Sequence, residues 1–467
     1  MMLLLLLVTV VLLLFCLTVF RRATPPAAIH RRTIKIRDAA VARRALIDHA
    51  DDFSDRPAAL FVVPLVTGRR RRRSDNILSA PYGPLWRALR CNLTVELLHP
   101  TRLGSIEPLQ RAAVEALVAE VATKARSRAG EVVVVRDSVR AAVFPLVARL
   151  CFGDGLGDRQ LLALQRLMED FVVAIGKANK FPGTSRVARI LHWVQLRRLA
   201  AFRGRQLECF LRLIAARRKR QTRRGSDGGL IRPYVDTLLD LRVPCSVADL
   251  PDDTDGEEKE ERHSRRTLTD DEMVSLVSEF LGAGSCVEWT LAHLVIQPEV
   301  QDKLRREVII DGNDDHRRAV TSYLAVILES LRLHPPVPLV MRYAHARAAL
   351  PVEEIGISLP TGGGRVHFMV RDIGRDGQTW TDPDVFRPER FLAGGEAEAV
   401  GPLPGPKEVI KMMPFGAGRR FCPGMGLGML HVGLLVAALV REFEWAPATA
   451  SGGGGGVDLT ERDGFFK

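Results

Sequence analysis

No C-x-x-C spacing joins any of the seven cysteines, Cys16, Cys91, Cys151, Cys209, Cys245, Cys286 and Cys422, which excludes a zinc framework or a stapled secreted scaffold. A reducing compartment fits this usage. The basic runs at Arg69 to Arg73 and Arg217 to Arg220 lack interleaved aromatics, and no zinc-finger spacing accompanies them. The net charge of +12 therefore reads as solvated surface near anionic headgroups, not as a nucleic-acid interface. No internal repeat is present, which excludes a repeat array. Nor is the chain poor in core formers: hydrophobic residues at 46% against charged residues at 26% exclude a disordered profile and leave one large globular body.

What is present begins with an uncharged apolar run from Met1 to Phe20, closed by Arg21 and Arg22. It is long enough to cross a bilayer as a helix. A cleaved signal peptide is the competing reading, but a basic n-region is missing and arginine stands where small residues should mark cleavage. The positive charge that follows predicts a body facing the cytosol. The sequon Asn92-Leu93-Thr94 is then a chance match.

Residues 21–34 read as a linker. Helical apolar spacing is expected over Ala40 to Ala50, Pro108 to Ala129, Val139 to Phe152, Gln160 to Lys177 and Arg198 to Arg220, with a strand-like run at Ala59 to Val66. Pro251 to Arg265 reads as a charged surface loop, and the Gly452 to Gly456 tract as a flexible one. From Thr269, the residues Met273, Leu276, Val277, Phe280 and Leu281 predict a buried helix reaching Ala283-Gly284. A second helix ends at Glu329-Ser330-Leu331-Arg332-Leu333-His334-Pro335-Pro336, stopped by its prolines. Short strands fill Val337 to Met369. The fold class is mainly α with a minor β part.

The stretch Pro414-Phe415-Gly416-Ala417-Gly418-Arg419-Arg420-Phe421-Cys422-Pro423-Gly424 sets one cysteine in a small-residue loop ahead of an apolar helix. Pro423 suits a first helical position, and Met425, Leu427, Leu430, Leu434, Ala438 and Leu439 are expected mostly on one face. The helix dipole then predicts a lowered Cys422 thiol pKa. A buried thiol in a glycine loop is the plain alternative. These residues match F-x-x-G-x-R-x-C-x-G at every fixed position, and so resemble the haem-binding signature of the cytochrome P450 superfamily. The P-F-G-x-G-R-R-x-C-P-G form resembles the plant A-type group, and Lys411-Met412-Met413 is similar to plant family eighty-nine within it.

Three further elements extend the resemblance. Trp86-Arg87-Ala88-Leu89-Arg90 matches W-x-x-x-R, whose tryptophan and arginine contact haem propionates in the family. Glu329 and Arg332, three apart on a helix, match E-x-x-R, and Phe386-Arg387-Pro388-Glu389-Arg390-Phe391 resembles the element that supplies a second arginine. The resemblance implies a Glu329, Arg332 and Arg390 network beneath the cysteine loop. Arg420 is a second expected propionate partner and Arg342 a third.

One element departs. The family places an acid and a threonine in the distal helix, whereas here Ala283-Gly284-Ser285-Cys286-Val287-Glu288 puts Cys286 at the acid and Val287 at the threonine. The segment to Pro298 is also about one to one and a half turns short. Valine delivers no proton, which leaves Ser285 and Glu288 as the candidate catalytic groups.

The resemblance implies a single cytochrome P450 domain over 35–467 behind the anchor at 1–20. It implies haem b held by Cys422 as axial iron ligand, with Trp86, Arg90, Phe415, Gly418, Arg420 and Gly424 as cofactor contacts. It also implies an NADPH-cytochrome P450 reductase as electron donor, docking near Lys411 and Arg419, and a lipophilic small-molecule substrate. The setting is the endoplasmic reticulum membrane, with membrane lipid around the anchor. The reaction class is monooxygenation; the departure at Cys286 and Val287 keeps open a haem-binding relative that does not complete it.

Overall fold

The computed structural model describes residues 33–57, 76–127, 132–178, 193–224, 232–245, 265–281, 287–310, 321–344, 356, 363–405, 409–447, 457 and 459. The expected anchor, the strand at Ala59 to Val66, the Gly452 to Gly456 tract and Ser285 lie outside them, as does the expected charged loop except Arg265.

Strand β1 (Ile34–Ile36) leads into helix α1 (Ala39–Arg43), started by the Asp38 carboxylate, which accepts the Val41 N–H at 2.7 Å. A wider π-type turn, Arg44–Asp48, extends it, so the helix expected over Ala40 to Ala50 is present in two pieces. Then follow α2 (Pro84–Asn92), α3 (Pro100–Ser105), α4 (Glu107–Ser127), α5 (Val135–Phe152), α6 (Asp158–Ala178), α7 (Trp193–Arg224) and α8 (Tyr234–Asp240). Strands β2 (Arg242–Pro244) and β3 (Arg265–Thr267) form an antiparallel pair. The remainder comprises α9 (Asp270–Leu281), α10 (Val287–Ile296), α11 (Pro298–Ile310), α12 (Thr321–Leu333), β4 (Val340–Ala344), β5 (Gly364–Phe368), α13 (Val370–Gly374) and α14 (Met425–Glu442). The helices expected from periodicity all appear, most of them longer than the apolar pattern alone marks.

Strand β5 sits centrally, parallel to β1 and antiparallel to β4, with Ile34 opposite Val366 and Met341 opposite His367. This small sheet and α1 enclose one apolar cluster that includes Phe53, Val366, Phe368, Ile410 and Met413. A second joins α2, α5, α6, α7, α8 and α9 through Leu89, Phe152, Phe210, Tyr234 and Val274. A third packs α14 on α4, α10, α11 and α12 through Val287, Leu294, Ile327, Val436 and Leu439.

Helix α9 starts on a reciprocal cap: Glu272 Oε2 accepts the Thr269 N–H at 2.7 Å, and the Glu272 N–H returns to Thr269 Oγ1 at 3.3 Å. Arg266 of β3 grips the same carboxylate with two bonds of 2.7 and 2.8 Å. The start of this helix is thus anchored to the β2–β3 pair, which fixes its direction across the molecule.

Helix α14 begins at Met425 with Gly424 as its cap, so Pro423 lies just outside and not at the first helical position. Its buried residues are Val432, Gly433, Leu435, Val436, Ala438, Leu439 and Val440. The expected stripe through Leu427, Leu430 and Leu434 is only half buried, because an almost wholly apolar helix does not reveal which face its neighbours cover. On this helix His431 leaves Nε2 buried without a partner among the described residues, beside Gln110 of α4, whose Nε2 is likewise unpartnered among them. Burial holds the His431 imidazole down to about 4, so the unfolded chain takes up its proton first as pH falls. Its contribution to stability is intact above about 6.5 and is lost toward about 4. H431L should flatten the acid limb of the stability curve by up to about 1.4 kcal/mol per pH unit, read from denaturant midpoints between those two pH values.

Candidate functional site

The loop ahead of α14 is wound by its own backbone. The Cys422 N–H donates to the Phe415 carbonyl at 2.8 Å, Gly416 N–H to Met413 at 2.9 Å, and Phe421 N–H to Gly418 at 3.2 Å. Gly416 and Gly418 have φ of +76° and +68°, and a Cβ at Gly418 would stand 1.9 Å from the Leu46 carbonyl oxygen. Only glycine allows the loop to seat against the π-type turn after α1. The half-buried Cys422 thiol is pushed up by burial, opposed by the Gly424 N–H and the Arg90 guanidinium. This corrects the expectation of a lowered thiol pKa: Cys422 lies three residues before the helix, and desolvation outweighs the donors aimed at it.

Four guanidinium groups gather around the cysteine loop, and one of them, Arg90, acts on the thiol. Arg90 of α2 lies over the Phe421 ring at 4.5 Å and the Trp86 ring at 5.4 Å, with Nη2 buried and unpartnered among the described residues. Arg420 is buried and also lies over the Trp86 ring, at 4.9 Å. It spends Nε on the Ser54 carbonyl, Nη1 on Ile77 at 3.2 Å, and Nη2 on Ala80. Arg56 and Arg342 each donate Nη1 to the Met341 carbonyl, at 2.7 and 3.0 Å, and each leaves one buried nitrogen, Nε and Nη2 respectively, without a partner among the described residues.

Burial is the main influence on the charge of this cluster, and repulsion between its members adds to it at Arg342 and Arg420. Burial brings Arg56 and Arg420 down to about 10 and holds Arg342 well below its usual range; Arg56 and Arg420 add to the effect on Arg342. Two carboxylates offset the four cations. Asp55 pulls on Arg420, while Glu279 of α9 acts on Arg56 and Arg420 and accepts the Ile77 N–H at 2.9 Å. A local excess of positive charge, with three buried donors unsatisfied among the described residues, fits a ligand bearing two carboxylates, placed next to a thiol.

The expected contact residues Trp86, Arg90, Phe415, Gly418, Arg420, Cys422 and Gly424 are therefore brought together, with a difference in roles. Trp86 directs its Nε1–H to the Ile77 carbonyl at 2.9 Å, and Arg420 is committed to three carbonyls. The open donors are instead on Arg90, Arg342 and Arg56. Sequence reasoning missed Arg56 and Glu279; neither lies in a motif, and the signal that finds them is burial of a charge.

Beneath the loop, Glu329 is fully buried and accepts four hydrogen bonds. Arg332 donates Nε and Nη2 at 2.6 and 2.7 Å, Arg390 donates Nε at 3.3 Å, and the Arg387 N–H donates at 2.9 Å. Arg332 Nη1 also reaches the Gly374 and Pro383 carbonyls, both at 2.7 Å, with its guanidinium 4.9 Å over Trp380. Arg390 pairs with Glu396 as well. The three-residue network is present, and Glu396, Trp380, the Arg387 N–H and the carbonyls of Gly374, Asp382, Pro383 and Val385 complete it.

Glu288 is not brought to the thiol cluster. At the start of α10 it pairs with Arg136 of α5 at 2.8 Å, and its side chain is 26% exposed. Val287 is buried in the core cluster around α14. Lys411 and Arg419 are also engaged, Lys411 with the Glu396 carbonyl and Arg419 with Asp51 at 2.8 Å and the Tyr82 hydroxyl at 2.9 Å.

Comparison with known proteins bears on the same site. The family model described as Cytochrome P450 matches residues 27–452. Cytochrome P450 89A9 of Arabidopsis thaliana is 35% identical over 452 residues, covering 93% of this chain and 81% of its own. A flavonoid 3'-monooxygenase of Petunia hybrida is 30% identical over 426 residues, covering 87% and 76%. Among solved structures, a zebra fish cytochrome P450 crystallised with progesterone superposes with a TM-score of 0.67 at 20% identity, covering 94% of this chain and 92% of that one, which is a likeness of fold.

Proposed function

Because this chain belongs to the cytochrome P450 family, we propose that it is a membrane-anchored monooxygenase holding haem b through Cys422 and hydroxylating a lipophilic small molecule. The observation that carries this reading is the Cys422 thiol beside a buried guanidinium cluster whose charge excess and open donors fit the two haem propionates. When bound, the haem supplies dioxygen activation. Arg90, with Arg342 and Arg56, would grip the carboxylates; Arg420 and Trp86 brace the neighbouring turn; Phe415, Gly418 and Gly424 shape the loop that presents the sulfur. Glu329, Arg332 and Arg390 hold the support beneath it. The net reaction takes substrate, dioxygen and NADPH with a proton to hydroxylated product, water and NADP⁺, the two electrons arriving through a cytochrome P450 reductase. Residues 1–20 anchor the chain in the endoplasmic reticulum membrane, 21–34 link, and 35–467 form the catalytic domain in the cytosol.

A second reading is favoured by one observation. Cys286 and Val287 stand where the family has its acid and threonine, Ser285 is the one hydroxyl remaining there, and Glu288 is turned toward Arg136. On that reading the chain binds haem but consumes reductant without transferring oxygen. Full-length protein reconstituted with reductase separates the two. A thiolate-type Soret band in the reduced carbon monoxide complex is expected for both, and its absence sinks both. Substrate-dependent hydroxylated product eliminates the impaired relative.

A further inference from the structure

The turn at Ile77 to Ala80 is held from three sides by residues far apart in the chain. From α9, Glu279 accepts the Ile77 N–H at 2.9 Å and the Leu78 N–H. From α2, Trp86 Nε1 donates to the Ile77 carbonyl at 2.9 Å. From the cysteine loop, Arg420 reaches the same carbonyl at 3.2 Å and the Ala80 carbonyl. Asn76 closes the turn, its Oδ1 accepting the Ser79 N–H and its carbonyl accepting the Ala80 N–H, both at 2.9 Å. Ile77 thus carries a carboxylate on its N–H and two cofactor-site side chains on its carbonyl.

We propose that Glu279 is a positioning residue of the haem site: by holding Ile77 and Leu78 against α9 it fixes the carbonyls that aim Trp86 and Arg420. Because Arg90, which keeps an open donor, lies over the Trp86 ring, this placement sets how firmly the cofactor's carboxylates are retained. The proposal rests on the haem-thiolate reading. Carboxylate to backbone N–H bonds are charge-assisted, and withdrawing the acceptor leaves the buried Ile77 N–H without its partner. Burial pushes the Glu279 carboxyl up to about 7, opposed by those N–H groups and by Arg56 and Arg420, so the turn and the guanidinium cluster both favour its charged form.

The test is haem transfer from purified full-length holoprotein to excess apomyoglobin. E279L should release haem about ten-fold faster than wild type, and E279Q, which keeps an acceptor oxygen, within about three-fold. Combined with W86F, E279L should add less than the product of the two single effects, since both act through Ile77. Unchanged release in E279L, or single effects that multiply, overturns the proposal. If E279L yields no holoprotein, the same cycle is run with E279D, whose shorter side chain withdraws the carboxylate from the turn, and the same outcomes decide. Wild-type chain that binds no haem removes the underlying reading instead.

Discussion

Replacing Cys422 by serine should reduce oxygen transfer to background, a loss of at least about a thousand-fold, while the apoprotein keeps its fold. The reduced carbon monoxide complex of C422S should lack the thiolate-type Soret band seen in wild type. The two outcomes separate because the loop does not depend on sulfur for its shape. Its turns are closed by the Cys422, Gly416 and Phe421 N–H groups, its seat against Leu46 by Gly418, and its neighbour Arg420 by three carbonyls. Serine preserves all of these, so apoprotein stability should move by less than about 1 kcal/mol. No other described cysteine is placed to substitute. Cys151 is fully buried and burial pushes its thiol far up, and Cys91 is exposed. Retained thiolate-type absorption in C422S would assign the iron to a different ligand and dismantle the site.

Much of this arrangement was legible in the sequence because it depends on short-range rules. Gly416 and Gly418 mark left-handed backbone, the prolines after His334 stop α12, and Glu329 and Arg332 share a helical face by spacing alone. What stayed hidden depends on long-range packing. The buried face of α14 is not marked by its pattern, because its apolar residues surround the helix. The direction of the Cys422 pKa was reversed because a dipole argument weighs one helix, whereas desolvation counts every neighbour. Arg56 and Glu279 are separated by 223 positions and meet only in the folded chain, so no local pattern announces either.

The distal segment poses a related problem. With Val287 committed to the core and Glu288 to Arg136, two groups that follow the family's acid position are fixed by packing and pairing rather than held free for proton delivery. Over its described length helix α9, by contrast, is held by Arg266 on Glu272 and by the Ile77 turn on Glu279.

The second large effect is expected at Glu329. E329Q keeps the side chain's shape but leaves Arg332 and Arg390, both fully buried, without their shared anion, at a cost of about 3–5 kcal/mol. The magnitude follows from burial and not from the number of contacts. The i,i+4 pair Arg212 and Glu208 on α7 has side chains 77% and 63% exposed, and E208Q should change stability by less than about 0.5 kcal/mol. Against a typical total of about 5–15 kcal/mol, the E329Q loss consumes a large share of the margin. It should appear as a much lower soluble yield and a shorter half-life at elevated temperature than E208Q. R332K should approach the same loss although it keeps the charge, because a single ammonium cannot replace a fork that grips Glu329 while donating to Gly374 and Pro383. Thermal inactivation half-lives for the three variants decide the matter. E329Q as durable as E208Q would mean that the network contributes little net stability, and that the cysteine loop's support rests on the apolar cluster of Trp380, Phe391 and Met412 instead.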